Sequence, residues 1–157
     1  MKIGIFSWES LYSGKVGGVA PQVSELAEAL ARMGHKVHVF TLRGDFGSHD
    51  QINGVNYHRV DSDRSGDIVA QMDSMCDAIY SRFKEVQKSS GAFDVLHGHD
   101  WHPVSVLNRL KYEYGLAYIL TLHSTEWGRN GNNWGFSASP RRYLTGSGSA
   151  VTNPPGS

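Results

Sequence analysis

The sequence predicts an α/β domain with a doubly wound, mostly parallel sheet, and three observations predict it. Short apolar runs alternate along the chain with stretches whose apolar residues recur at three and four. The first run and the first helical stretch are joined by a glycine-bearing loop, Lys15-Val16-Gly17-Gly18-Val19-Ala20-Pro21. The 157 residues, 39% of them apolar, are enough for one core and not for two.

Residues 3–6 read as a buried parallel strand that feeds the polar Ser7-Trp8-Glu9-Ser10. From Val19, the positions Val23, Leu26, Ala27, Leu30 and Ala31 fall at helical spacing, and Gly34 ends the helix as its cap. Val37, Val39 and Thr41 make a second strand. Such a β-loop-α-β unit closes right-handed, which sets Gly17 and Gly18 at the carboxyl edge of the sheet, where open α/β sheets take ligands.

Residues 43–51 read as a polar surface loop. Asn53-Gly54 is a turn signal, followed by Val55, Tyr57, Arg59 and Val60 as a third strand, paired with a short one at 51–52. Ile68, Met72, Met75, Cys76, Ile79, Phe83 and Val86 then mark the packed face of a long helix that Gly91 ends. A fourth strand is expected at 93–97, a helix at 103–114 capped by Gly115, and a fifth strand at 117–122. The loops at 98–102 and 123–128 therefore meet near the glycine loop. Gly, Ser, Asn and Pro accumulate from Gly131 onward, so the domain is taken as 1–135 and 136–157 as an irregular or non-native tail.

Lysine plus arginine and aspartate plus glutamate are each 15, which excludes a broad basic field for nucleic acid and makes any phosphate selectivity local. A single cysteine, Cys76, allows no internal disulfide and falls on an apolar helix face as an inert thiol. There is no apolar run long enough for a membrane span, and the first strand is too short for a signal-peptide core. The expectation is a cytoplasmic protein without a membrane partner.

The glycine loop reads as a phosphate seat. Gly17 and Gly18 expose their amides, Pro21 suits a first helical turn, and a helix N-terminus attracts anions. Lys15 adds a mobile positive charge suited to a pyrophosphate. The alternative is a turn whose glycines only relieve crowding. His97-Gly98-His99-Asp100-Trp101-His102 offers three imidazoles and a carboxylate, but aspartate is fourth, whereas the H-x-H-x-D-H arrangement of metallo-hydrolases has it fifth. His97 and His99 share one side of the strand end by the two-residue period, with His97 as a buried, hydrogen-bonded histidine. Asp100 can serve as the N-cap of the next helix, as a ligand contact, or as both. Trp101 and Trp127 present faces suited to sugars or pack over the sheet end, and Glu9 is close enough to bind hydroxyls or is merely solvated. The glycines do not follow G-x-G-x-x-G, and no acidic residue ends the second strand, which argues against a nicotinamide cofactor; a P-loop sequence is also absent.

Lys15-Val16-Gly17-Gly18-Val19-Ala20, His97-Gly98-His99-Asp100-Trp101-His102 and Thr121-Leu122-His123 together resemble the K-x-G-G-[LV]-A, H-x-H-D-W-H and T-[LIV]-H segments of glycogen and starch synthase-like glycosyltransferases. The resemblance is to the amino-terminal Rossmann-like domain of that two-domain (GT-B) type and spans roughly residues 1–134. It implies a retaining enzyme that uses ADP-glucose or UDP-glucose as donor, a glucan or other acceptor, and neither cofactor nor metal. It further implies that Lys15, Gly17 and Gly18 contact the donor pyrophosphate, that His123 faces the transferred sugar, and that Glu9, Asp100 and Trp101 lie on the acceptor side. In that family a carboxyl-terminal Rossmann domain carries the nucleotide base and an E-x7-E signature. This chain alone is therefore expected to be inactive, with an uncovered face able to self-associate. Two other readings remain: a non-catalytic carbohydrate- or partner-binding module, and a metal-dependent hydrolase built on His97, His99 and His102.

Overall fold

The structure is a computed structural model that describes residues 1–14 and 16–124. Among the described residues nine elements follow one another: β1 (Lys2–Phe6), α1 (Ala20–Arg32), β2 (Lys36–Leu42), β3 (His49–Ile52), β4 (Val55–Val60), α2 (Ile68–Ser90), β5 (Val95–His99), α3 (Val104–Tyr114) and β6 (Tyr118–Thr121). They form one six-stranded sheet in the order β3-β4-β2-β1-β5-β6, parallel throughout except at the β3–β4 pair. The predicted mixed α/β, mostly parallel architecture is present.

The two faces of the sheet carry separate cores because residues alternate along each strand. Ile3, Ile5, Val37, Val39, Val55 and Tyr57 meet Val23 and Ala27 of α1 on one face. Phe6, Phe40, Leu96 and Val60 meet Met75, Ile79 and Phe83 of α2 and Leu107 and Leu110 of α3 on the other. The long apolar face of α2 is thus packed core, as its spacing required.

Helix ends follow local chemistry. The Asp67 carboxylate accepts a hydrogen bond from the Ala70 amide at 2.9 Å and caps α2. Gly91 (φ 87°) and Gly115 (φ 67°) turn the chain out of α2 and α3, and Gly34 (φ 89°) follows the last turn of α1.

Two strands differ from expectation. β3 begins at His49, inside the stretch read as loop, because the tight turn at Asn53 (φ 50°) and Gly54 (φ 82°) lets four residues pair with β4, Ile52 with Val55 through His49 with His58. β5 starts and ends two residues later than expected. Phe93 packs in the core instead, and the Asp94 carboxylate accepts from the Lys2 amide at 2.6 Å, so pairing with β1 begins at Ile3 and Val95. The shift places His99 within the strand.

Arg59 is fully buried on the α1 face of β4. Its Nε donates to the Tyr12 carbonyl, Nη1 donates to the Gly47 carbonyl at 3.0 Å, and Asp50 pairs with it at 2.9 Å. This one cation fastens the segment after β1 to the segment after β2. Gly14 and Gly44 meet back to back at the same junction, where a Cβ on Gly44 would lie 2.2 Å from the Gly14 Cα.

Candidate functional site

The carboxyl ends of β1, β5 and β6 bring three loops to one edge. The loop after β1 is held by a run of hydroxyls: the Ser10 amide donates to Ser13 Oγ, the Leu11 amide to Ser24 Oγ, and the Gly14 amide to the Leu42 carbonyl, each at 2.9 Å. It is a fixed approach to the α1 N-terminus. Lys15 lies outside the described residues.

Gly17 and Gly18 differ in their surroundings. A Cβ on Gly17 would lie 2.5 Å from Glu9 Oε1, while none of the described residues stands within 4 Å of one on Gly18. The missing side chain at Gly17 thus makes room for Glu9, and the Gly18 position is clear of the described residues. Glu9 Oε2 accepts from the Val19 amide at 3.2 Å. An anionic group therefore already sits on the positive end of α1, the place where dipole and free amides favour one. Val19 itself makes no side-chain cap.

The second corner is built by β5 and β6, whose parallel register pairs His99 with Thr121. His97 Nε2 lies 2.8 Å from Thr121 Oγ1, and the His97 and His99 rings lie 4.4 Å apart on the same side, as the two-residue period predicts. His99, not His97, is the buried member: His99 is 3% exposed and His97 is half-buried. His99 Nδ1 lies 2.9 Å from His123 Nε2, with the rings stacked at 14°. Burial, then the neighbouring His97 and His123, push the His99 imidazole down to about 3, so it is neutral at pH 7. Burial, then His123, also lowers His97.

Asp100 is not the N-cap of α3. That cap is Pro103, without a side-chain hydrogen bond, and α3 starts at Val104. Asp100 instead takes a left-handed φ of 61°, donates its amide to the Thr121 carbonyl at 2.8 Å, and accepts the His123 amide on Oδ1 at 3.2 Å. The reason is geometric: the strand continues through His99, so Asp100 falls on the turn beside β6 and not beside the helix end.

Trp101 is half-buried and stacks on His102 at 4.3 Å, and Trp8 stacks on His102 at 5.1 Å. Trp101 also packs against the α2/α3 core cluster. No sequence pattern marks Trp8 beyond its loop; its place just after a buried strand is the available signal. The Cys76 thiol donates to the His102 carbonyl at 3.3 Å and is raised by burial to about 11, which makes it an unreactive packing group. Among the described residues no three His, Cys, Asp or Glu side chains converge as a metal-holding group, and His102 is drawn into the tryptophans. Trp127, the boundary at 135 and the tail 136–157 lie outside the described residues. No described helix is long and apolar enough to cross a membrane.

The sequence model of Glycosyltransferase Family 4 matches residues 16–152. An uncharacterized glycosyltransferase of Methanocaldococcus jannaschii is 36% identical over 137 residues, which cover 83% of this chain and 33% of that protein. Among solved structures, sucrose-phosphate synthase from Thermosynechococcus elongatus superposes with a TM-score of 0.67 at 17% identity, over 90% of this chain and 36% of that one. The catalytic domain of starch synthase IV from Arabidopsis thaliana, bound to ADP and acarbose, gives 0.59 at 16% identity, over 78% of this chain and 34% of that one. These structural likenesses show a shared fold. The chain spans about a third of the length of each relative.

Proposed function

We propose that this chain, which belongs to Glycosyltransferase Family 4, forms one wall of a cleft in which a sugar passes from a nucleoside diphosphate to an acceptor hydroxyl. The single observation that carries the reading is convergence: the Gly18 position, where a Cβ would meet nothing within 4 Å among the described residues, and the His123 corner fixed by Asp100 and His99 follow strands whose carboxyl ends share one edge. As the bond between the sugar carbon and the diphosphate breaks, negative charge grows on the leaving oxygen. Backbone amides at a helix end and the Lys15 ammonium are the groups able to stabilise it. Glu9 fills the Gly17 side of the loop, so the diphosphate enters from Gly18 and Lys15, with the Gly17 amide within the same loop.

His123 then faces the transferred sugar. Asp100 acts through the His123 amide that it holds, while Glu9 and the exposed part of Trp101 contribute to the acceptor side. The specific form of the reading is glucose carried by ADP or UDP, moved with retention to a glucan, with no metal or other cofactor. A carboxyl-terminal Rossmann domain supplies the opposite wall and the base contacts, and the chain by itself does not turn over. Self-association through the uncovered face belongs to the same account, and Ile119 of β6, the last strand among the described residues, and Leu122 beside it are exposed.

The test is glucosyl transfer from ADP-glucose and UDP-glucose to a glucan, measured for the chain alone and for the chain joined to a carboxyl-terminal nucleotide-binding domain. Transfer only in the joined protein, lost on Lys15→Ala, is the expected result. Transfer by the chain alone, or transfer in the joined protein that survives Lys15→Ala unchanged, contradicts it.

A further inference from the structure

The His99–His123 contact assigns a proton. When both imidazoles are neutral the hydrogen bond between them holds one hydrogen, so the 2.9 Å separation of His99 Nδ1 and His123 Nε2 then admits two arrangements. If His123 Nε2–H donates, His99 Nδ1 is the acceptor and the hydrogen of His99 must sit on Nε2. Among the described residues that atom is buried with no hydrogen-bond partner. Among buried backbone groups an N–H without an acceptor is rarer than a carbonyl short of a donor, and we carry that ordering over to the ring nitrogens. If His99 Nδ1–H donates instead, His99 Nε2 carries only a lone pair, and the rarer defect is avoided.

We propose that His99 is a positioning residue that donates its Nδ1 hydrogen to His123 Nε2, so that His123 carries its own hydrogen on Nδ1 and offers the cleft a hydrogen-bond donor directed at a sugar hydroxyl oxygen. The inference rests on the functional reading above for its last clause, while the proton assignment stands on geometry alone. Three contacts fix the arrangement. The His97 ring packs against His99 at 4.4 Å, His97 is itself tied to Thr121 Oγ1 at 2.8 Å, and the His123 backbone is tied to Asp100 Oδ1 at 3.2 Å. The imidazole of His123 thus has its ring plane set by stacking on His99 and its tautomer set by the bond within the stack. The buried, neutral state of His99 keeps that bond intact through the neutral range.

The logic is that of an orienting partner: an acceptor presented to the cleft in place of a donor would reverse which sugar hydroxyl geometry is accepted. His99 never touches the sugar. It acts by denying His123 the other tautomer.

The experiment is a long-range nitrogen–proton correlation of the histidine side chains in the 157-residue chain near neutral pH. His123 is expected with a protonated, pyrrole-type Nδ1 and a bare, pyridine-type Nε2, and His99 with the same pattern. In His99→Leu, the His123 signals are expected to lose that predominance and average between the two tautomers. In His99→Asn, whose side-chain amide can donate from nearly the same place, the Nδ1–H pattern is expected to return. Backbone amide dispersion shows whether each variant folds; should His99→Leu not fold, the parent spectrum and His99→Asn still decide. A parent His123 protonated on Nε2, or a folded His99→Leu with an unchanged His123 pattern, overturns the assignment. Titration of the chain joined to a carboxyl-terminal nucleotide-binding domain with ADP-glucose or UDP-glucose separates the two claims: a fixed Nδ1–H tautomer whose resonance does not respond to either donor while the donor binds overturns the role toward the sugar and leaves the proton assignment in place.

Discussion

Lowering the pH should unfold this domain unusually early, because it buries histidines that must stay neutral. His38 and His58 lie on the α2 face of β2 and β4, their rings stacked at 7° with Nδ1 and Nε2 2.9 Å apart. Phe40 and Phe93 close around them. Burial is the largest cause in each case, followed by Lys2 for His38 and by His38 for His58, and the two are pushed down to about 4 and about 3. His99 is pushed to about 3. The sign follows from which state binds the proton. Above pH 6.5 each residue is neutral folded and unfolded, and contributes no pH dependence. Between 6.5 and the lowered value the unfolded chain takes up a proton that the native state refuses, so stability falls as pH falls, by about 1.4 kcal/mol per pH unit for each histidine.

From pH 6.5 to pH 5 that is about 2 kcal/mol for each, and about 6 kcal/mol for the three together, against a total stability on the order of 5–15 kcal/mol for a domain. The coupled His38–His58 pair makes the sum an upper bound. Urea unfolding followed by circular dichroism near pH 7.5 and near pH 5 measures it, and the midpoint should drop by a large fraction of its neutral value. Replacing both members, His38→Phe with His58→Phe, should flatten most of the dependence, since neither partner is then left unpaired. Equal midpoints at the two pH values, or a His58 ring proton that titrates near 6.5 in the folded protein, would refute the reasoning.

Gly44→Ala should destabilise by about 2–5 kcal/mol, because the new Cβ meets Gly14 backbone and φ is 59°; Gly98→Ala should cost about 1–3 kcal/mol, because its Cβ, 2.4 Å from Leu107 Cδ1, meets the end of a side chain that can shift. Thermal melts of the two variants test the order. Arg59→Leu should cost about 3–5 kcal/mol and raise amide exchange across residues 10–14, since it leaves the Tyr12 and Gly47 carbonyls and Asp50 without their cation; unchanged exchange there would show that the arginine does not hold the loop. Size-exclusion chromatography should show association that Ile119→Lys removes, and a clean monomer at high concentration would contradict the exposed-edge reading.

The periodic elements were legible because their signals are local. The α2 face, the Asn53-Gly54 turn and the helix-ending glycines each follow from a few adjacent residues, and the structure keeps them. What escaped depends on pairing between distant segments. The displacement of β5 by two residues is set by β1 and β6, and it alone decides that His99 is buried in the strand and that Asp100 leaves α3 for the His123 amide. With the register of β5 on β6 in hand, His99 opposite Thr121 would have pointed to His123 two residues on. The contact of Glu9 with the Val19 amide escaped for a related reason: a ten-residue separation gives no periodic signal, although the missing side chain at Gly17 is what admits the carboxylate. Arg59 read as an ordinary strand position, since no pattern announces a buried cation whose partners are loop carbonyls.

The central claim is that a sugar-bearing diphosphate meets this chain at the carboxyl edge, between Gly18 and His123. Backbone amide shifts of the labelled chain joined to a carboxyl-terminal nucleotide-binding domain, during titration with ADP-glucose and UDP-glucose, test it most directly. Changes concentrated at Gly17, Gly18 and His123, absent when free glucose replaces the nucleotide sugar, are the predicted result. Changes confined to the opposite edge around Gly34, Gly91 and Gly115, or none at saturating donor, would contradict it.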